Sequence, residues 1–298
     1  MKNLLMIFIV ALFIGTLCSV SGAQNNSQSG TTEVDSIFTQ TGKALPGEVT
    51  KYTWPRSDLS VTIAGTKIEP GLALGSWAAF KMEKEPNKAM VMGDLVLLDA
   101  EVENVVESLQ QLGFEVLAIH NHLMNESPAI MYVHYEGHGP AATLAKNLKE
   151  ALGKTATPMS FKPPAITTPA EQSNFDRIQA SLGRKGNLAG HVLQVAVPRK
   201  EKIEDAGMEI PPAMGMAISI NFQNAGNQVA TTGDFVLIAN EVNPVIHELT
   251  THGIHVTALH SHMLEEAPRL FFLHFWGVGT PEKIGEGLKA ALTRVNVG

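Results

Sequence analysis

The chain of 298 residues has little cysteine, few aromatic residues and no concentrated positive charge. Its one cysteine, Cys18, has no partner within the chain, which excludes an internal disulfide and a metal site built on several thiolates. The net charge is -7, and no more than two basic residues follow one another. Nucleic-acid binding needs a basic face, so no nucleic-acid partner is predicted.

Charged residues are also scarce, at 17%, whereas 44% of the residues are hydrophobic. This balance is typical of a globular protein with a substantial core rather than of a disordered chain. The length suits two domains of ordinary size.

Residues 1–23 have the pattern of a secretory signal peptide. Lys2 supplies a positive charge, residues 4–17 form an apolar run, and residues 21–23 (Ser-Gly-Ala) offer a cleavage site. The run is too short for a membrane span. We therefore expect an exported protein, secreted or periplasmic, with no membrane span.

Cys18 suggests an alternative, in which it carries a lipid anchor. The preceding Leu17 is bulky where a lipoprotein signal favours a small residue. Cleavage after Ala23 is therefore favoured over lipid attachment at Cys18, and it would leave a mature chain without cysteine.

The remainder of the chain is a tandem duplication. Gly93–Leu152 aligns without a gap on Gly233–Leu292, with identity at 22 of the 60 positions. We predict a first repeat at residues 34–152, a proline-rich linker at residues 153–172 and a second repeat at residues 173–298.

Each repeat is predicted to have the order ββαββα. In the first repeat, apolar residues recur at helical spacing over 102–112 and 144–152, and apolar runs typical of strands cover the segments between and before them. These strands are residues 77–82, 90–98, 114–124 and 129–137. The fold class is α+β, an antiparallel-rich sheet that resembles a permuted ferredoxin-like fold. Its helices lie on one face, and the second repeat is expected to cover the other.

Both repeats carry one histidine pattern, His-x-His-x11-His, at positions 140 residues apart. Residues two apart on a strand share a face, and a hairpin centred on Pro128 would bring the third histidine opposite the second. The sequence thus predicts two pseudo-equivalent tri-histidine metal sites, formed by His120, His122 and His134 and by His260, His262 and His274.

Three imidazoles with an open position are typical of a catalytic rather than a structural metal site. A divalent transition metal is expected, zinc first, with copper, nickel or iron as alternatives. Two other interpretations stay open: histidines that pack at the interface between the repeats, and a glycan or anion site lined by imidazoles.

Carboxylates near the histidines are further candidates. Glu126 and Glu266 follow the second histidine of each repeat by four residues, an arrangement that resembles the first metal motif of cupins, although two helices per repeat do not suit a cupin barrel. They are the weak candidates for a catalytic base. Asp94 and Asp234 are expected to open a strand, where a turn or cap role is favoured over ligation or base catalysis.

Two arginines and two glutamates recur in both repeats. Arg56 and Arg199 each follow a proline at a strand end, where we expect an exposed salt bridge. Glu101 and Glu241 fall in the first turn of a helix, where a carboxylate interacts favourably with the helix dipole.

The chain resembles the LppY/LpqO family of exported bacterial proteins, which carry a domain of unknown function. The resemblance is carried by Trp-Pro-Arg-Ser-Asp-Leu at 54–59, Ala-Leu-Gly-Ser-Trp-Ala-Ala-Phe at 73–80, Gly93-Asp94, Ile-His-Asn-His at 119–122, Pro128 and His134. It implies export and a repeated domain, and no activity. Lipoprotein members have a lipobox, which this chain lacks.

The first functional hypothesis is therefore an exported metal-binding protein, with a metal-dependent enzyme of unknown reaction as its extension. The alternatives are a non-enzymatic envelope module that binds a glycan or another small ligand, and a structural repeat protein. The sequence does not determine the substrate, the metal or the oligomeric state.

Overall fold

A computed structural model describes residues 31–161 and 168–298 of the protein. The predicted signal peptide, Cys18 and part of the predicted linker lie outside these ranges. Within them, no helix combines the length and the apolar character that crossing a membrane requires.

The helices are numbered along the chain. They are α1 (residues 31–38), α2 (Pro70–Ala73), α3 (Asp99–Gln111), α4 (Ala141–Leu152), α5 (Pro169–Leu182), α6 (Ala239–Thr251) and α7 (Pro281–Leu292), with a 3-10 turn at Pro212–Met214. Helix α5 begins inside the segment predicted as a linker, because Thr168 caps it through the backbone N–H of Glu171.

The strands of the first repeat are β1 (Lys43–Leu45), β2 (Val49–Pro55), β3 (Thr62–Ile63), β4 (Thr66–Lys67), β5 (Gly75–Met82), β6 (Lys88–Leu98), β7 (Glu115–His120), β8 (Glu126–Ser127) and β9 (Ile130–Pro140). Those of the second repeat are β10 (Asn187–Ala189), β11 (Val192–Pro198), β12 (Glu204–Asp205), β13 (Met208–Glu209), β14 (Ala217–Ala225), β15 (Gln228–Leu237), β16 (His255–His260) and β17 (Phe271–Gly279).

Each repeat forms a six-stranded antiparallel sheet. The strand orders are β1-β2-β5-β6-β9-β7 and β10-β11-β14-β15-β17-β16, so corresponding strands occupy corresponding places. The prediction of an α+β chain with two similar antiparallel halves is confirmed. The likeness to a permuted ferredoxin-like fold stays a prediction.

Helices cover the outer face of each sheet. In the first repeat, Val105 of α3 and Leu148 of α4 are fully buried in one core with Val133 of β9. In the second repeat, Val245 and Leu288 are buried in a core with Phe275 of β17. On each of the helices α3, α4, α6 and α7, the buried residues recur at helical spacing. This spacing explains why each helix lies flat on its sheet.

The inner faces of the two sheets pack against each other. Met90 and Met92 of β6 belong to one buried core with Met214 and Met216 of the second repeat. At the rim, the amide of Gln223 accepts a hydrogen bond from the backbone N–H of Glu69 at 2.8 Å and donates one to the Lys67 carbonyl at 2.7 Å. The second repeat therefore covers the inner face of the first.

A buried arginine ties each second strand to the following helix. Arg56 is fully buried and Arg199 almost so, and neither forms the exposed salt bridge predicted from the sequence. Their guanidinium groups bind Glu101 at 2.7 Å and Glu241 at 2.6 Å. The same arginines donate to the carbonyls of Val96 and Val236 inside the sheets, and this position withdraws them from solvent.

Candidate metal centre

The six histidines lie at corresponding places on the inner faces of the two sheets. His120 ends β7, His122 lies two residues beyond it, and His134 lies in the middle of β9. The predicted register is wrong, because Ala118 rather than His122 lies opposite His134. Residues 121–129 form a long connection rather than a tight hairpin, and their short strand β8 pairs with β3. A bulge also follows Val116 in β7.

The two predicted triads are one cluster. Rings from opposite repeats stack face to face, with centroids 3.6 Å apart for His120 and His260, 3.8 Å for His122 and His274, and 3.7 Å for His134 and His262. The second residue of each triad thus meets the third residue of the other, which is the pattern of a two-fold interface. The two predicted triads therefore lie against each other where the inner faces pack together, and the prediction of two metal sites stays a prediction.

The ring nitrogens are close enough to share metal ions. Ligand atoms of His120, His122 and His134 lie within 4.8 Å of one another, as do those of His120 with the second triad, His260, His262 and His274. The Nε2 atoms of His260 and His274 are 2.8 Å apart. These histidine groups could hold a metal.

Asp94 and Asp234 join the cluster. Asp94 lies directly opposite His134 in the sheet, and Asp234 lies opposite His274. Asp94 Oδ2 is 3.6 Å from His122 Nε2 and 3.7 Å from His134 Nε2. In the second repeat, Asp234 Oδ2 is 3.8 Å from His262 Nε2, whereas Asp234 Oδ1 is 3.9 Å from Nδ1 of His274. Both aspartates lie within strands, so the predicted role at a strand opening is wrong.

These separations suit shared ligands better than hydrogen bonds. A hydrogen bond between a ring nitrogen and a carboxylate is about 2.7–3.2 Å long. Two ligands at about 2.1 Å from a tetrahedral zinc ion lie roughly 3.4 Å apart. The distances from Asp94 Oδ2 to the ring nitrogens of His122 and His134 are close to this ligand separation.

Several polar atoms of the cluster are buried without a partner in the described ranges. They are Nε2 of His120, His122, His134 and His262, and Oδ1 of Asp94 and Asp234. Each unsatisfied buried group of this kind costs about 1–3 kcal/mol, and more when it is charged. A bound cation would satisfy the nitrogens and the carboxylates together.

The surroundings keep the imidazoles neutral. Burial lowers the pKa of all six histidines, and repulsion from neighbouring imidazoles lowers the pKa of all except His260 further. The pKa of His120 falls to about 3. Burial raises the pKa of Asp94 and Asp234, and Asp94 raises that of Asp234 further. Neutral imidazole is the form that ligates a metal.

Hydrogen bonds and aromatic rings hold the imidazoles in place. Nδ1 of His120 lies 3.2 Å from the Asn121 carbonyl, and Nδ1 of His274 lies 3.1 Å from the Gly233 carbonyl. Donation from Nδ1 leaves the Nε2 lone pair free for a metal. Tyr132 stacks behind His122 at 3.5 Å.

Glu126 and Glu266 have other partners. Glu126 accepts a hydrogen bond from the backbone N–H of Ile130 at 3.2 Å, and Glu266 accepts one from Leu270 at 2.8 Å. Glu266 also pairs with Arg269 at 3.2 Å. These contacts brace the loops before β9 and β17, and the predicted catalytic role of the two glutamates gains no support.

A cavity of about 640 Å³ lies between the two sheets beside the cluster. His122, His134, His262, His274 and both aspartates line it. Small molecules therefore have room next to the candidate metal ligands.

The comparisons with known proteins agree with the duplication. The family described as Domain of Unknown Function (DUF1259) matches residues 32–154 and again residues 176–294. The chain belongs to this family. No curated protein matches the chain, and no solved structure does. Family membership therefore agrees with two tandem domains and assigns no activity.

Proposed function

We propose that the protein binds transition-metal ions in the cluster between its repeats. His120, His122, His134 and Asp94 would form one ligand set, and their counterparts His260, His262, His274 and Asp234 the other. The main support for this proposal is the set of buried ring nitrogens and carboxylate oxygens that have no hydrogen-bond partner in the described ranges. Hydrogen-bonded interface histidines would not leave so many polar atoms unsatisfied.

Zinc is the metal we expect first. Imidazole suits zinc, copper, nickel and iron, and one carboxylate with two or three histidines is compatible with zinc and iron sites in particular. Met214 and Met216 line the cavity beside the histidines, which keeps copper as an alternative.

The adjoining cavity favours a metal-dependent enzyme over metal storage, and this is the second part of the proposal. A bound divalent metal would polarise a substrate or lower the pKa of a bound water. The residues of the cavity would orient the substrate. A glycan module without metal, or a structural repeat, would leave the buried carboxylates of Asp94 and Asp234 uncompensated.

Export and kinship to the LppY/LpqO family complete the proposal. The apolar run at 4–17 and the small residues at 21–23 support cleavage before Gln24. Intact-mass measurement of the protein from the envelope of an expressing bacterium tests this point. A mass that begins at Gln24 is expected, and an acylated chain that begins at Cys18 would overturn it in favour of a lipid anchor.

The metal proposal is tested by elemental analysis of the mature protein, prepared without a histidine tag. About two equivalents of one transition metal per chain are expected. The variant His120→Ala/His260→Ala should lose most of it. His138→Ala is the matched control, because His138 pairs with Glu83 and Glu136 and belongs to neither ligand group.

Circular dichroism and thermal unfolding of each variant separate loss of ligands from loss of fold. A wild-type protein that takes up no zinc, copper, nickel or iron would contradict the proposal. A folded double variant with undiminished metal would do so as well.

A further inference from the structure

The cavity has one feature that the metal ligands do not explain, a lysine on its wall. Lys51 lies on β2 opposite Ala79, on the inner face of the first sheet. Its Nζ is 3.9 Å from the centroid of the Trp77 ring. Within the described ranges, the ammonium makes no hydrogen bond or ion pair.

Trp77 holds this lysine in place. The tryptophan lies beside Asp94 in the sheet and reaches across to the second repeat, where its ring would be 3.3 Å from a Cβ placed on Gly215. A cation over the face of an indole ring is attracted by about 0.5–2 kcal/mol. The contact fixes Lys51 against the wall and leaves its hydrogen-bond donors for another group.

The other walls of the cavity are largely apolar. Leu45, Leu72, Met214 and Met216 line it together with Trp77. Ligand sites commonly combine such walls with a few polar groups that fix orientation. The size and lining suit an organic molecule with an apolar body.

The charge balance decides the polar end of that molecule. The carboxyl groups of Asp94, Asp234 and the half-buried Glu69 line the cavity. If metal ions are bound as proposed above, they compensate the two aspartates, and this inference rests on that proposal. Lys51, with the exposed Lys43 at the same wall, then leaves a positive region for a ligand.

We propose that the cavity binds a small organic carboxylate, with its carboxylate at Lys51 and its apolar body between Trp77 and the methionines. The bound molecule would lie beside His122, His134 and their counterparts, where a metal ion could act on it. A carboxylate is favoured over a neutral ligand because the partly buried Lys51 ammonium makes no ion pair or hydrogen bond within the described ranges, and a metal ion would take up the charge of nearby Asp94.

Two probes of equal shape test the charge requirement, phenylacetate and phenylacetamide. Isothermal titration calorimetry of the zinc-loaded mature protein is expected to show at least about tenfold tighter binding of the acid, as for a charge-assisted pair. Lys51→Met keeps the length of the side chain and removes its charge. It should abolish the preference and leave amide binding within about twofold of the wild type. Lys146→Met, on the exposed face of α4, is the control.

Metal content is measured on the same samples, so that the two proposals fail separately. A wild type without metal contradicts the metal proposal, and the ratio of acid to amide affinity in the same sample then tests the Lys51 site by itself. Equal affinity for the two probes, or no binding of either, overturns the carboxylate site. A preference that survives in Lys51→Met with full metal content also overturns it, since the anion would then bind the metal instead.

Discussion

The first and second repeats agree at the histidine cluster and differ in the walls of the cavity. Each repeat supplies three histidines and one aspartate at corresponding places. The wall residues differ. Lys51 is the third residue of β2, and Gln194 is the third residue of the corresponding strand β11. Trp77 pairs with Asp94 in the first sheet, whereas Ser219 pairs with Asp234 in the second. The cluster is therefore symmetric and the cavity is not.

The stacking of the rings gives a physical reason for this difference. His122 packs on His274 and His134 packs on His262, so each repeat completes the surroundings of the other's histidines. Loss of the triad in one repeat would leave the other triad without its neighbours. The walls carry no such mutual requirement, and the first repeat alone can supply Lys51 and Trp77.

The largest expected effect is the loss of stability when a buried arginine is replaced, and this loss should be similar in the two repeats. Arg56→Met and Arg199→Met each leave a largely buried glutamate without its partner, at side-chain exposures of 13% for Glu101 and 8% for Glu241. Each substitution should lower the free energy of unfolding by about 3 kcal/mol.

Denaturant unfolding followed by fluorescence and by circular dichroism measures this loss. Arg177→Met is the control, because its ion pair with Glu282 is about half exposed and should contribute little to stability. Because the sheets share one core, we expect one transition for both probes. Two separate transitions would show that the repeats unfold independently.

A smaller effect is expected at the glycine before each aspartate. A Cβ at Gly93 would collide with the Tyr135 hydroxyl and the Trp77 carbonyl, and one at Gly233 would collide with the Ser219 carbonyl. Because backbone atoms cannot move aside, Gly93→Ala and Gly233→Ala should each cost about 2 kcal/mol or more. Gly75→Ala, whose Cβ would meet nothing within 4 Å, should be tolerated. Equal stability of Gly93→Ala and Gly75→Ala in thermal unfolding would contradict this expectation.

Much of the fold could be predicted from the sequence because its signals are local. Periodic apolar residues predict α3 and α4, and apolar runs predict β5, β6, β7 and β9 to within a few residues. The need to cover the inner face of one sheet predicts the packing of the second.

The site could be predicted only in part. The histidine spacing identifies six residues, but their union into one cluster depends on how two sheets pack. Asp94 lies within an apolar strand, and nothing local marks a carboxylate there as a ligand. Asp94 lies opposite His134 only in one register of β6 and β9, and a long connection between strands can change that register.

The next effect concerns metal affinity. Asp94→Asn and Asp234→Asn keep the shape of the side chain and remove a charged ligand. Each should weaken zinc binding at least about tenfold, since even groups that only support a ligand contribute 10–100-fold. The metal-free variants should be at least as stable as the wild type, because a buried carboxylate without a partner is removed.

Competition with a chromophoric chelator measures the zinc affinity, and Asp176→Asn, on α5, is the matched control. Equal losses at Asp94 and Asp234 would support a symmetric centre, and a loss at one of them alone would break the comparison between the repeats. Unchanged affinity in both variants would exclude the aspartates as ligands.

The smallest expected effect is the pH dependence of the asymmetric wall. Burial lowers the pKa of Lys51 from 10.5 to about 8, with Asp94 opposing the change and Lys43 adding to it. The preference for phenylacetate over phenylacetamide should therefore fall as the pH rises through about 8, where the ammonium loses its proton. Because the folded pKa lies below the unfolded one, burial of Lys51 costs stability below pH 8, and this cost is relieved between pH 8 and 10.5.

Lys51→Arg, which does not titrate in this range, should keep the preference at high pH. The exchange Lys51→Gln/Gln194→Lys moves the cation to the opposite wall, away from Trp77, and should restore only part of it. Calorimetry at pH 7 and pH 9 decides the matter. A preference that is independent of pH in the wild type would show that the anion is held by a group other than Lys51, and full recovery in the exchange variant would show that the two walls are equivalent after all.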